Sequence, residues 1–157
     1  MAGVYTTQGT RTAGRAGRAA CHWDRAAVIG IVIVAHGGLA REYLAAVEHV
    51  VGKQNAVRAI SISPDDDRAA KQAEICAAAD SVDLGDGVVV VTDMFGGSPS
   101  NLSLRACRPT DRRIVYGANL PLLIKLAKSR HLPVAEAVDS ALIARRKYID
   151  SFDASVE

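Results

Sequence analysis

Apolar residues along this chain alternate between two periods, and the alternation predicts the fold. Val28–Ala35 is a run of mostly β-branched residues, the pattern of a strand buried on both faces. Leu39–Val51 then turns helical, with Leu39, Tyr43, Val47, Val50 and Val51 on one side and Gly52 as its stop. Ala56–Ser61 is a second short strand. Pro64, Asp65, Asp66 and Asp67 supply capping groups for an Ala-rich helix reaching about Val82. Gly85-Asp86-Gly87 is a turn, and Val88–Asp93 is a third strand, apolar until its end.

Ser98-Pro99 signals another helix, with Ser98 as N-cap and Pro99 as the first helical residue. Arg112–Tyr116 is a fourth strand. Asn119 to about Arg130 is a helix, and Pro133 opens one more, to about Ala141. Leu142–Ile149 mixes charged and apolar residues and reads either as an edge strand or as a helix extension. Strands alternating with helices predict an α/β fold, an open doubly wound and mostly parallel sheet with helices on both faces.

Residues 1–27 fall outside this pattern. They are rich in Gly, Ala, Thr and Arg and lack apolar periodicity, which is the composition of a disordered leader. An organellar transit peptide is one alternative, and a start assigned too far upstream, with translation beginning at Val28, is another. The expected organisation is therefore a leader over 1–27, one domain over 28–150 and a short tail over 151–157. The net charge of +2 is concentrated in the leader, where four arginines face Asp24 alone, while the remainder holds 15 basic and 16 acidic residues. A nearly neutral domain with 4% aromatic residues gives no electrostatic case for nucleic-acid binding. No apolar run is long enough to span a bilayer. Cys21, Cys76 and Cys107 are far apart and read as reduced thiols, so a cytoplasmic setting is expected.

Chemistry converges at two strand ends. In doubly wound sheets, sites form at the carboxyl ends of the strands where strand order reverses. The first strand ends in Ala35-His36-Gly37-Gly38, and the third in Thr92-Asp93-Met94-Phe95-Gly96-Gly97-Ser98-Pro99. With strand order 2-1-3-4 these ends are neighbours, about 4.8 Å apart, and His36 meets Asp93. A carboxylate on one imidazole nitrogen fixes the tautomer and leaves the other as a nucleophile. Gly37 and Gly38 are expected to clear space for a bulky donor, and Gly97 with Ser98 to place a helix N-terminus where an anion can bind. Together these predict transient phosphorylation of His36.

Other readings carry less. His22, His49 and His131 fit surface or structural roles. No second His lies within i+2 to i+5 of His36, so no zinc site is expected. The Gly96-to-Ser100 segment lacks the closing glycine of a nucleophile elbow. Walker A and GxGxxG motifs are absent, which argues against a bound nucleotide donor, and no cofactor is expected.

At these residues the sequence resembles the mannose-type IIA domain of the bacterial phosphoenolpyruvate-dependent phosphotransferase system. The likeness runs over about residues 28–150 and rests on IGIVIVAHGGLA with His36, VVVVTDMFGGSPSN with Asp93, and YGANLPLLIKL from Tyr116. It implies that His36 accepts phosphate from phospho-HPr and passes it to a IIB partner, that Asp93 bonds His36, and that Ser98 helps hold the phosphate. It also implies a homodimer exchanging a C-terminal antiparallel edge strand, here Leu142–Ile149. The chain stops at Glu157 without the linker that joins many such domains to IIB, so a separate IIB chain or a role without transport is expected. A phosphorylation-switched regulatory module and the phosphoryl-donor subunit of a dihydroxyacetone kinase are the alternatives.

Overall fold

A computed structural model describes residues 27–152. Four strands, β1 (Gly30–His36), β2 (Val57–Ile62), β3 (Val88–Thr92) and β4 (Arg112–Tyr116), form one sheet in the order β2-β1-β3-β4. All three pairings are parallel. The helices are α1 (Leu39–Val51), α2 (Arg68–Val82), α3 (Ser98–Ser103), α4 (Leu120–Lys128) and α5 (Val134–Lys147), with a 3-10 turn over Leu104–Cys107. The predicted class and strand order are both found.

The central strands are apolar on both faces because both faces are covered. Ile31, Ile33, Val89 and Val91 pack with Leu122, Leu123, Leu126, Ala137 and Val138 on the side of α1, α4 and α5. Val32, Val34, Val88 and Val90 pack with Ile75, Ala79, Val82 and Leu102 on the side of α2 and α3. Successive side chains point to opposite faces, so a strand in the middle layer has no polar position to spare. Gly30 marks a close approach, since a Cβ there would lie 2.5 Å from the Val82 carbonyl oxygen.

Local chemistry sets the helix starts. The Asp67 carboxylate accepts from the Ala70 N–H at 2.7 Å, and the Asn119 side chain accepts from the Leu122 N–H at 2.9 Å. Three boundaries depart from expectation. Val28 and Ile29 precede β1, and their N–H groups donate to the Asp86 carboxylate and the Arg130 carbonyl instead of to a neighbouring strand. The N-cap of α3 is Gly97, which places Ser98 at the first helical position and Pro99 at the second. A fixed proline φ suits either early position.

The third departure corrects the expected antiparallel edge strand. Leu142–Ile149 pairs with no strand among the described residues. It continues α5 to Lys147, and Tyr148 caps it. Ala137, Val138 and Ala141 recur at helical spacing on the buried side of α5, and Arg145, Arg146 and Lys147 occupy the last turn, where cations favour the carbonyl end of a helix. Residues 1–26 and 153–157, which include Cys21 and His22 and most of the expected leader (1–27) and tail (151–157), lie outside the described residues.

Candidate functional site

The register brings His36 and Asp93 together at the carboxyl ends of β1 and β3. Val34 is level with Thr92, so both strands end side by side. His36 Nδ1 lies 2.8 Å from Asp93 Oδ2, and the His36 backbone N–H donates to that same oxygen at 3.0 Å. Asp93 Oδ1 accepts from the Met94 N–H at 2.9 Å. The carboxylate is thus held at both oxygens.

The protonation pattern follows from these contacts. Burial pushes the Asp93 carboxyl up, but the His36 N–H, the His36 ring and the Met94 N–H outweigh it and hold the group below the usual carboxylate range. An ionised carboxylate only accepts hydrogen bonds. Nδ1 therefore carries a proton, and in the neutral imidazole the lone pair is on Nε2. The Asp93 side chain is 11% exposed and the His36 side chain 49%, so the carboxylate is sheltered and the imidazole reaches solvent.

Glycines border the ring from both loops. Beyond their own chain neighbours, a Cβ at Gly37 or Gly38 would meet nothing within 4 Å, so both face open space beside His36. Gly37 is required by its backbone, at φ +53°. Gly97 borders the ring directly, because a Cβ there would lie 3.1 Å from His36 Cε1 and 3.6 Å from Nε2. Its φ of −80° suits any residue, so the reason for glycine is the ring beside it. Ser98 follows at the start of α3, half-buried.

The sequence reading passed over other features of this end of the sheet. Met94 and Phe95 follow Asp93 and are exposed, Phe95 to 76%, with the Phe95 ring edge-on to Tyr116 at 5.0 Å. They form an apolar apron at this end of the sheet. A groove of about 590 Å³ runs from Asp93 along Tyr116 to Arg145 and Arg146. The Arg145 guanidinium donates to the Tyr116 carbonyl, and the Asn119 amide donates to the Arg145 carbonyl at 3.3 Å. An exposed Phe in a strand-end turn was the available signal for the apron. The Arg145 clamp had none, because it depends on how α5 lies over β4.

Fold and site together define a class: a doubly wound domain whose switch point presents a carboxylate-held histidine to the surface. Residues 30–142 match the model of the family described as PTS system fructose IIA component. The chain belongs to this family and is a IIA component of the mannose/fructose type. It is 29% identical over 103 residues to the PTS system mannose-specific EIIAB component of Escherichia coli (strain K12), a match covering 65% of this chain and 32% of that protein. The alignment thus spans about a third of the curated relative's length. Among solved structures it is similar to phosphotransferase system component EIIA from Streptococcus agalactiae, at 27% identity and TM-score 0.71 over 79% of this chain and 97% of the other. The mannose/sorbose specific IIA subunit from Enterococcus faecalis aligns at 26% identity and TM-score 0.71, over 80% and 96%. The PTS IIA protein associated with the fucose utilization operon from Streptococcus pneumoniae aligns at 28% and 0.67, over 83% and 97%.

Proposed function

We propose that His36 is a transient phosphohistidine, accepting its phosphoryl group at Nε2 from phospho-HPr and passing it to a IIB partner. The observation that carries this reading is the pairing of His36 Nδ1 with Asp93 Oδ2 at 2.8 Å, which in the neutral ring leaves the Nε2 lone pair free, on the side of the ring near Gly97. In the transfer, the Nε2 lone pair forms a bond to phosphorus as the bond from phosphorus to the donor's imidazole nitrogen breaks in line. The electron pair of the broken bond stays on the donor nitrogen. Positive charge then builds on the His36 ring, and Asp93 stabilises it across the Nδ1–H without taking the proton. The reverse of this step delivers the group to IIB, so a single geometry serves acceptance and donation.

Gly37, Gly97 and Ser98 are proposed to surround the phosphoryl oxygens, with the N–H groups at the start of α3 facing the anion. Met94 and Phe95 supply the apolar contact on which the protein donor and acceptor dock in turn. A second copy of the chain is proposed to cover the exposed Ile143, Tyr148, Ile149 and Phe152 in a homodimer. No helix among the described residues is long and apolar enough to cross a membrane, and we place the carrier in the cytoplasm, where its phosphorylated donor would be found. The test is incubation with phosphoenolpyruvate, enzyme I and HPr. The carrier should gain the mass of one phosphoryl group, in an acid-labile bond. Retention of the label in His36→Ala would overturn the assignment.

A further inference from the structure

Tyr43 lies on the buried side of α1, yet its hydroxyl is directed at a backbone group instead of the core. It donates to the Ala118 carbonyl at 3.0 Å. Ala118 in turn donates its N–H to the Thr92 carbonyl at 3.0 Å, and Thr92 is wholly buried and immediately precedes Asp93. The chain closes on itself, because α1 begins three residues after His36. The circuit runs from His36 through α1 to Tyr43, from Tyr43 to Ala118, from Ala118 to Thr92 and Asp93, and from Asp93 back to the His36 ring. Two of its links are covalent stretches of chain. The other three are hydrogen bonds, each 3.0 Å or shorter.

We infer that the Tyr43 hydroxyl is a positioning group for the Asp93–His36 pair, holding the turn after β4 against the end of β3 so that the carboxylate meets Nδ1. This rests on the phosphohistidine reading for its functional consequence, though not for its geometry. Several features make the hydroxyl suited to the task. The turn residue before Ala118 is Gly117, at φ +75°, and the Arg145 guanidinium packs where its Cβ would be, so the direction of the Ala118 carbonyl is set from both sides. Burial, and then the negative charge of Asp93, push the Tyr43 hydroxyl above its ordinary pKa, which keeps it a donor across the whole working range. A phenylalanine would fill the same apolar space, so packing alone does not call for the oxygen.

The test is Tyr43→Phe in the full chain, which deletes one oxygen and keeps the ring. The first readout is the tautomer of the His36 imidazole in the unphosphorylated protein, by ¹⁵N NMR. The Nδ1–H population should fall relative to wild type. The second is transfer from phospho-HPr, where kcat should drop on the order of tenfold, as when a supporting hydrogen bond behind a reactive ligand is removed, with KM unchanged. In an Asp93→Asn background, Tyr43→Phe should add little, because the link it supports is already cut. Leu44→Ala, in the same core but outside the circuit, is the matched control for destabilisation alone. An unchanged tautomer in Tyr43→Phe, an equal shift in Leu44→Ala, or an undiminished effect in the Asp93→Asn background would each overturn the inference. The NMR readout needs no phosphate, so a tautomer shift in a protein that is never phosphorylated would uphold the positioning role while the carrier reading fell.

Discussion

Asp93 Oδ2 accepts two hydrogen bonds from a single residue, one from the His36 ring and one from the His36 backbone N–H. This double contact fixes the imidazole's tautomer and the height of β1 relative to β3 at once. The carboxylate thus orients the imidazole and ties two strand ends together.

Asp93→Asn tests the first of these roles. An amide can keep the side-chain shape, but it no longer carries the charge that favours a proton on Nδ1 or balances the positive ring. Transfer to His36 is expected to slow about 10- to 100-fold, with circular dichroism unchanged. An unaltered single-turnover rate would remove Asp93 from the mechanism.

Acid should weaken the domain through the same group. The folded Asp93 carboxyl lies below its ordinary value, near 3.9 in an unfolded chain. Its contribution is therefore complete above about pH 4 and is lost as pH falls through the folded value, since the unfolded chain binds the proton first. Asp83 is also held low: burial pushes it up, and the Gly85 N–H and Arg112 pull it further down. Stability measured by urea titration should decline below about pH 4, and the decline should be shallower in Asp93→Asn. Equal slopes in the two proteins would show that Asp93 gains nothing from its partners.

Glycines 97 and 38 should respond differently to the same change. Alanine at Gly97 presses on His36 Cε1 from 3.1 Å, so the ring must tilt or shift by a few tenths of an ångström. A loss of about tenfold or more in transfer rate is expected, since small misplacements of reacting atoms are costly, with little change in Tm. Alanine at Gly38 meets open space and should leave the rate within about twofold of wild type. Equal rates in the two variants would refute a role for Gly97 beside the ring.

Cys107 is shielded rather than reactive. Burial pushes its thiol up to about 11, outweighing the opposing pull of Arg112. Alkylation by iodoacetamide at pH 8 should be slow in the folded protein and rapid in urea. Fast labelling of Cys107 in the native state, followed by peptide mapping, would contradict this.

The fold was legible because its two periods are clean. Val88–Thr92 reads as a strand with almost no polar interruption, and Asp67 and Asn119 announce their helices. His36 and Asp93 stood out as polar ends on apolar strands, a placement that packing does not produce. Contacts distant in sequence were harder to read. Gly37, Gly38 and Gly97 look alike in the sequence, and only the path of the loop after β3 shows that Gly97 faces the ring. Tyr43 fits the helical stripe of α1, so nothing marks its hydroxyl until Ala118 is seen 75 positions away. Leu142–Ile149 misled because the exposed Ile143 and Ile149 resemble strand residues when their burial is unknown.

In the proposed carrier, Nε2 of His36 is the atom that holds phosphate. Protein labelled with ¹⁵N in its histidine rings, phosphorylated through enzyme I and HPr, can be read by NMR for coupling between ³¹P and a single ring nitrogen. That coupling is expected at His36 Nε2, with Nδ1 still protonated and facing Asp93. Phosphorus on Nδ1, or on any residue other than His36, would contradict it.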